Sequence, residues 1–279
     1  MDRSALNETL DRASALIHRL EDPDPGPLPV PEGELYTGVD LGTAYLTMVV
    51  LNEDHEVLAG EYTFAEVARD GLVVDYIRAV DLVKQMKARL EARLGRELTL
   101  AASGYPPGVP PQEVRATANV VEAGGFTCTG LVDEPTAANA MICLENGVIV
   151  DVGGGTTGIA VVEDGKVVYT ADEATGGTHL SLVIAGARDI SFAEAERLKL
   201  DLEAQPRLFP TIRPVLEKVS SIVARHIDGR EIPEIVLVGG TTRFYRTAEV
   251  VEEYTKIPAW VPSHPEWVTP IGMAMNCKA

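Results

Sequence analysis

Two stretches of the chain repeat one another. GVDLGTAYLTMVVLNEDHEVL, from Gly38, lies over IVDVGGGTTGIAVVEDGKVV, from Ile149, at a constant offset of 111 residues up to the acidic turn. Asp40 falls on Asp151, Gly42 on Gly153, and Met48-Val49-Val50-Leu51 on Ile159-Ala160-Val161-Val162. One gap then brings the following strands into line. Each copy reads strand, Asp-x-Gly turn, strand, turn, strand. Burial alone does not select this pattern, because glycine weakens a strand and an unpaired buried carboxylate is costly. A repeat of this length constrains the chain to two similar lobes facing each other, with the turns meeting in the cleft between them.

Such turns suit a phosphate. A tight glycine turn presents several backbone N–H groups in a small arc and lets a ligand come close. Thr43, Thr156 and Thr157 place hydroxyls beside them. Asp40 and Asp151, one from each lobe, can hold a divalent cation; Mg²⁺ favours a few carboxylates, several waters and phosphate oxygens. A further glycine pair, Gly239-Gly240 in EIVLVGGTTRF, ends a buried strand ahead of a helix. It reads either as a nucleotide contact or as an ordinary strand–turn–helix junction. In LVDEPTAANA, Glu134 precedes Pro135, which suits a first helical turn. Glu134 is either a carboxylate held at the cleft to orient a water or an acid that favours the helix N-terminus.

The rest of the chain reads as α/β from Leu35. YTGVD, AYLTMVVLN and EVLAGEYTF are expected strands, followed by a helix from about Asp75 to Leu94, the strand ELTLAAS and the helix PQEVRATANVVEAG. TCTGLVD is a strand, and EPTAANAMICLENG a helix ending at Gly147. Ahead of all this, Leu6, Leu10, Ala13, Ile17 and Leu20 fall on one helical stripe. Five prolines between Pro23 and Pro31 then forbid helix and read as a stiff linker. The helix either docks on its own core or serves as a tethered peptide for a partner. The expected units are an amphipathic helix over 1–21, a linker over 22–34, lobe I over 35–146 and lobe II over 147–279.

The formal charge of −18 repels nucleic acid and anionic membranes, so any phosphate must be held locally. Cys128, Cys143 and Cys277 lack metal-ligand spacing and fit a reducing compartment. With no secretory signal or apolar span in the sequence, the expected location is cytoplasmic.

Taken together, GVDLGT, DEPTAA, DVGGGTTG, VGGTTR and TPIGMA resemble, in order, the five motifs of the actin-like ATPase superfamily. Those motifs cover nearly all of Tyr36 to Ala274 and lean towards the heat-shock chaperone and cell-shape branch. VARDGLVVDY, SGYPPG, YTADEATGGTHLSL, ISFAEAE and IVARHIDG further resemble the EutJ family of ethanolamine utilization proteins. The resemblance implies two duplicated ribonuclease-H-like lobes with reduced outer subdomains, binding ATP or ADP with Mg²⁺. Asp40 and Asp151 would hold the metal. Gly42, Thr43 and the run Gly153, Gly154, Gly155, Thr156 and Thr157 would cradle β- and γ-phosphates. Glu134 would orient the attacking water, with Asp151 beside it in the catalytic set. Gly239 and Gly240 would lie along the nucleoside and α-phosphate, and Glu196 and Lys199 would contact adenosine. His179 in GGTHL would brace the cleft.

The chain departs from the chaperones in three places. Ala44 stands where they carry a second threonine. Only 94 positions separate Asp40 from Glu134, and 88 separate Asp151 from Gly239, which leaves little room for outer subdomains. The basic residue that such a subdomain contributes to hydrolysis has no obvious counterpart, and no peptide-binding β-domain is expected. The expectation is a slowly hydrolysing, chaperone-like nucleotide switch in ethanolamine utilization or microcompartment function. Its partners would be ethanolamine-utilization enzymes or microcompartment shell proteins, and homo-oligomers are open to it. The alternatives are a scaffold or filament with little turnover, and a small-molecule kinase.

Overall fold

The computed structural model describes residues 2–19, 32–69 and 72–278. Most of the expected linker, and Leu20 of the helical stripe, lie outside them. The frame is two five-stranded sheets that repeat one another strand for strand. The first is built from β1 (Tyr36–Leu41), β2 (Tyr45–Leu51), β3 (Val57–Phe64), β6 (Leu100–Tyr105) and β7 (Thr127–Asp133), with the short hairpin β4 (Ala68–Arg69) and β5 (Leu72–Val73) outside it. Its order is β3-β2-β1-β6-β7. The second contains β8 (Gly147–Val152), β9 (Thr157–Glu163), β10 (Lys166–Glu173), β11 (Ile235–Val238) and β12 (Ala259–Trp260), in the order β10-β9-β8-β11-β12. In each sheet the first three strands are antiparallel and the last two run parallel to the first.

The repeat in sequence is a repeat in register. Asp40 pairs with Thr47 across the β1–β2 ladder, and Asp151 pairs with Gly158 across β8–β9. Both acidic residues therefore close a strand at the same edge of equivalent sheets. The continuous apolar runs of β2 and β8 are buried on both faces, as strands covered by helices on each side must be.

Helices α2 (Tyr76–Leu94) and α3 (Pro111–Ala123) cover the first sheet. The Asp75 side chain accepts from the Arg78 N–H at the start of α2, and Gly95 ends it in the left-handed conformation. The second lobe carries α5 (Gly177–Arg188), α6 (Phe192–Leu200), α7 (Gln205–His226) and α8 (Thr247–Thr255). Two further helices cross over. α4 (Glu134–Ile142) leaves the first sheet and packs on β8, while α9 (Val268–Met275) leaves the second and packs on β1 and β2. α4 and α9 pack on each other so closely that a Cβ on Gly272 would overlap the Ala137 carbonyl, and α9 lies so close on β1 that a Cβ on Gly38 would overlap the Pro270 carbonyl. Glycine at these two points lets backbone meet backbone.

Helix α1 (Arg3–Arg19) is docked. Leu6, Leu10, Ala13 and Ile17 are buried in the same core as Val49, Leu51, Ile142, Ile149 and Trp267. Gly60 of β3 makes room for it, since a Cβ there would stand 2.7 Å from Ile17 Cγ1.

Two expected helices are shorter than their sequences suggest. The helix from Glu134 stops at Ile142, not at Gly147. Cys143 turns left-handed at φ 53°, and the Asn139 side chain accepts from the Leu144 N–H over 3.0 Å. An asparagine that bonds the backbone ahead of it competes with helix continuation, and Gly147 instead opens β8. After Gly239-Gly240 the chain makes only a single 3-10 turn, Gly240–Arg243, before α8 begins at Thr247.

Candidate functional site

The two Asp-x-Gly turns line one cavity of about 390 Å³ from opposite lobes, within the range of small-molecule and cofactor sites. Asp40, Gly42, Thr43 and Ala44 line it from the first lobe, and Asp151 with Gly153 to Thr156 from the second. Glu134, Glu196, Lys199, Gly239 and Gly240 complete the set named from the sequence. Thr157 stands apart. It is fully buried, and its hydroxyl donates to the Thr175 carbonyl over 2.5 Å.

The turns are anchored by their carbonyls. Gly153 O accepts from the Gly177 N–H over 2.9 Å and from the Thr241 hydroxyl over 2.8 Å, and Gly154 O accepts from the Thr178 N–H over 2.8 Å. The first turn of α5 and the Thr241 side chain thus hold the second turn from behind. Its donors are left over. The N–H groups of Gly154, Gly155 and Thr156, like those of Thr43 and Ala44, find no acceptor among the described residues. Backbone donors gathered in this way want an anion from outside the chain.

The carboxyls beside them, Asp40, Glu134 and Asp151, are raised from their ordinary range. Burial, and then the neighbouring Asp151, push Asp40 up to about 7. Burial likewise raises Asp151 to about 6, against the Thr269 hydroxyl, which donates to Asp151 Oδ2 over 2.5 Å and pulls the other way. Glu134 is raised well above the usual carboxylate range by burial, then by Asp40, Asp151, Asp172 and Asp133. Its place at the first turn of α4 favours the anion by less than about 1 kcal/mol, which burial outweighs. Asp133 caps that helix, accepting from the Thr136 N–H over 3.1 Å, and so fixes where Glu134 points. Gly239 makes the approach of a further strand end possible. Its φ is 87°, and a Cβ there would run into Asp151 Oδ1.

Three carboxyls raised together, Asp151 buried and Asp40 and Glu134 half-buried at the cavity, fit a hard divalent cation. Among the described residues, no three His, Cys, Asp or Glu side chains stand close enough to enclose a metal on their own. A cation here would take most of its ligands from water and phosphate, as Mg²⁺ does.

The rest of the cavity lining is different in character. Glu196 and Lys199 form a buried ion pair at 2.8 Å, with the Ser181 hydroxyl donating to Glu196 Oε2 over 2.5 Å. Burial, opposed by Glu196, lowers the Lys199 ammonium below its ordinary range. Arg243 pairs with Glu266 at 2.6 Å on the cavity wall. Tyr45 links Phe64 and Tyr62 through ring contacts of 5.5 and 5.9 Å, and Tyr62 meets Trp267 at 5.6 Å. Tyr45, Tyr62, Arg243, Glu266, Trp267 and Thr269 line the cavity but carried no assigned site role in the sequence reading. His179 lies outside this cavity, where Nδ1 accepts from the Gly176 N–H at the start of α5 over 3.3 Å.

The turns touch. A Cβ on Gly154 would stand 3.0 Å from Ala44 Cβ, and one on Gly155 would stand 2.6 Å from Thr43 Oγ1. Phosphates lodged between the turns would have to part them.

Comparison with known proteins agrees with the fold. The MreB/Mbl protein family matches residues 59–187 and the cell division protein FtsA family residues 148–272. The ethanolamine utilization protein EutJ of Escherichia coli K12 is 41% identical over 246 residues, covering 88% of this chain and 87% of its own. The crystal structure of EutJ from Carboxydothermus hydrogenoformans superposes with a TM-score of 0.92 at 40% identity, over 99% of this chain and 100% of that one. MreB5 of Spiroplasma citri, in a crystal structure bound to AMPPNP, shares the fold at a TM-score of 0.71 and 17% identity, over 88% of this chain and 96% of that one. The chain belongs to the EutJ family of ethanolamine utilization proteins and has the actin-like ATPase fold.

Proposed function

We propose that the chain binds Mg-ATP and Mg-ADP between its lobes and works as a slowly hydrolysing, chaperone-like switch in ethanolamine utilization. One observation carries the reading: the turns of both lobes bring unbonded N–H groups and carboxyls to the lining of a single cavity. The AMPPNP bound by MreB5 supports it by likeness of fold.

In this reading the N–H groups of Thr43, Ala44, Gly154, Gly155 and Thr156 hold phosphate oxygens, and Thr43 adds its hydroxyl. Asp40 and Asp151 anchor the cation, which when bound neutralises charge on the phosphates. Glu134 Oε accepts a hydrogen bond from a water, which attacks the γ-phosphorus as its bond to the bridging oxygen breaks; the water proton passes to Glu134. Lys199 and Glu196 position the ribose, and Gly239-Gly240 lie flat beneath the nucleoside. The lysine and arginine that line the cavity, Lys199 and Arg243, are each paired with a carboxylate, Glu196 and Glu266, which suits slow turnover. The nucleotide state sets the lobe arrangement, and the lobe arrangement sets affinity for an ethanolamine-utilization enzyme or a microcompartment shell protein in the cytoplasm.

Phosphate release from Mg-ATP tests the reading when wild type and Asp151→Ala are compared. Release by wild type and its loss in the variant, with EDTA reproducing the loss, is the expected pattern. Equal release from both would remove Asp151 from the site.

A further inference from the structure

The contacts of α1 divide between the lobes. Its C-terminal half is held by the first lobe, where Ile17 fills the space over Gly60 of β3. Its N-terminal half buries Leu6 and Leu10 in the shared core and adds polar ties to the second lobe. Arg3 pairs with Glu234 at 2.5 Å and lies 4.4 Å over the Trp260 ring. Asn7 Oδ1 accepts from the Ser263 N–H over 2.9 Å, and the Asn7 carbonyl accepts from the Ser263 hydroxyl over 3.1 Å. Asp11 faces His264 at 3.7 Å.

Ser263 and His264 lead directly into the cavity wall. His264 holds a left-handed φ of 49°, and the next residues form the 3-10 turn Pro265–Trp267. Glu266 and Trp267 of that turn line the cavity, and the Pro265 carbonyl accepts from the Gly239 N–H over 3.0 Å. Between an α1 contact, His264, and a cavity residue, Glu266, there is thus a single residue, Pro265.

We propose that α1 is a displaceable strap across the lobes, seated while the two glycine turns touch and unseated when a nucleotide parts them. This rests on the reading of the cleft as a nucleotide site. Parting Gly154 and Gly155 from Ala44 and Thr43 moves one lobe relative to the other, and one rigid helix follows only one of them. Leu6, Leu10, Ala13 and Ile17 are buried along the whole length of the helix, whereas the polar pairs that tie it to the second lobe at Arg3 and Asp11 are partly exposed and weak in water. The second-lobe contacts are the ones that give, and the N-terminal half of α1 lifts first. By reciprocity, a strap that opposes parting also opposes nucleotide binding.

Amide exchange across residues 4–17 of the full chain tests this without nucleotide and with Mg-AMPPNP, with binding measured by calorimetry on the same samples. The expected result is exchange at least about tenfold faster in residues 4–12 with Mg-AMPPNP. Binding with unchanged exchange overturns the strap and leaves the cleft reading intact. Absence of binding overturns both. As an independent check, the double variant Arg3→Ala/Asn7→Ala should bind Mg-AMPPNP about three- to tenfold more tightly than wild type; unchanged or weaker binding contradicts the proposal.

Discussion

Thr269, at the start of α9, donates its hydroxyl to Asp151 Oδ2 over 2.5 Å, and both side chains are buried. The helix that crosses from one lobe to the other is thereby bonded to the acidic residue of the second turn. Removing that donor with Thr269→Val should raise Asp151 above its value of about 6 and weaken Mg²⁺-dependent nucleotide binding by about 10- to 100-fold. Thr269→Ser should recover most of the loss. A valine variant that binds like wild type would show the bond to be structural only.

Asp40 gives a stability prediction with a definite sign. Its folded value is about 7 against an ordinary 3.8, so between those values the folded chain holds a proton that the unfolded chain has released. This contribution is fully present below about pH 4 and lost as pH rises through about 7. At about 1.4 kcal/mol per pH unit, the full loss approaches about 4 kcal/mol as an upper bound. Without Mg²⁺, Asp40→Asn should therefore melt above wild type at pH 8 and lose that advantage at pH 4. A variant less stable than wild type at both values would contradict the assignment of burial as the cause.

Glu134→Gln keeps the shape of the side chain and removes the proton acceptor. Binding of Mg-ATP should persist within a fewfold, while phosphate release falls by about 10²-fold or more. Equal loss of binding and turnover would make Glu134 a structural residue of α4.

The contact between α4 and α9 is testable through two glycines. Gly272→Ala forces a methyl group into the Ala137 carbonyl and should lower stability by about 1–3 kcal/mol in thermal melts. Gly186→Ala, on α5, meets nothing within 4 Å and should be neutral or gain about 0.5–1 kcal/mol. Similar losses at both positions would mean that the close crossing is not what holds the lobes.

The duplication was legible because it is written twice. The constant offset of Asp40 and Asp151 became a constant ladder register, and with the turns came most of the cavity. What the sequence hid depended on contacts between distant segments. The stripe Leu6–Leu10–Ala13–Ile17 announced that α1 buries a face but not which surface it covers. Thr269 sits in TPIGMA as one more residue of a buried helix, with nothing local to mark its bond to Asp151. The charged run around Glu196 and Lys199 looks like a solvated helix face until Ser181 and Gly177 close over it. The long helix α7 was hidden by its own prolines. Pro210 and Pro214 argue against a helix interior, yet both lie on the exposed side, opposite Leu208, Phe209, Ile212 and Leu216, whose burial holds the helix together. Thr157 misled in the other direction, since a threonine in a glycine turn can as well bond the backbone behind it.

The central claim is that one cleft, built from both turns, takes a magnesium nucleotide. Calorimetric titration of the purified full chain with Mg-ATP, Mg-ADP and Mg-GTP tests it directly, with phosphate release followed on the same sample. The account predicts binding of one adenine nucleotide per chain, lost on chelation of Mg²⁺, with slow release of phosphate from ATP. No heat and no release with any of the three would contradict it, and would leave an actin-like fold whose touching turns do not open.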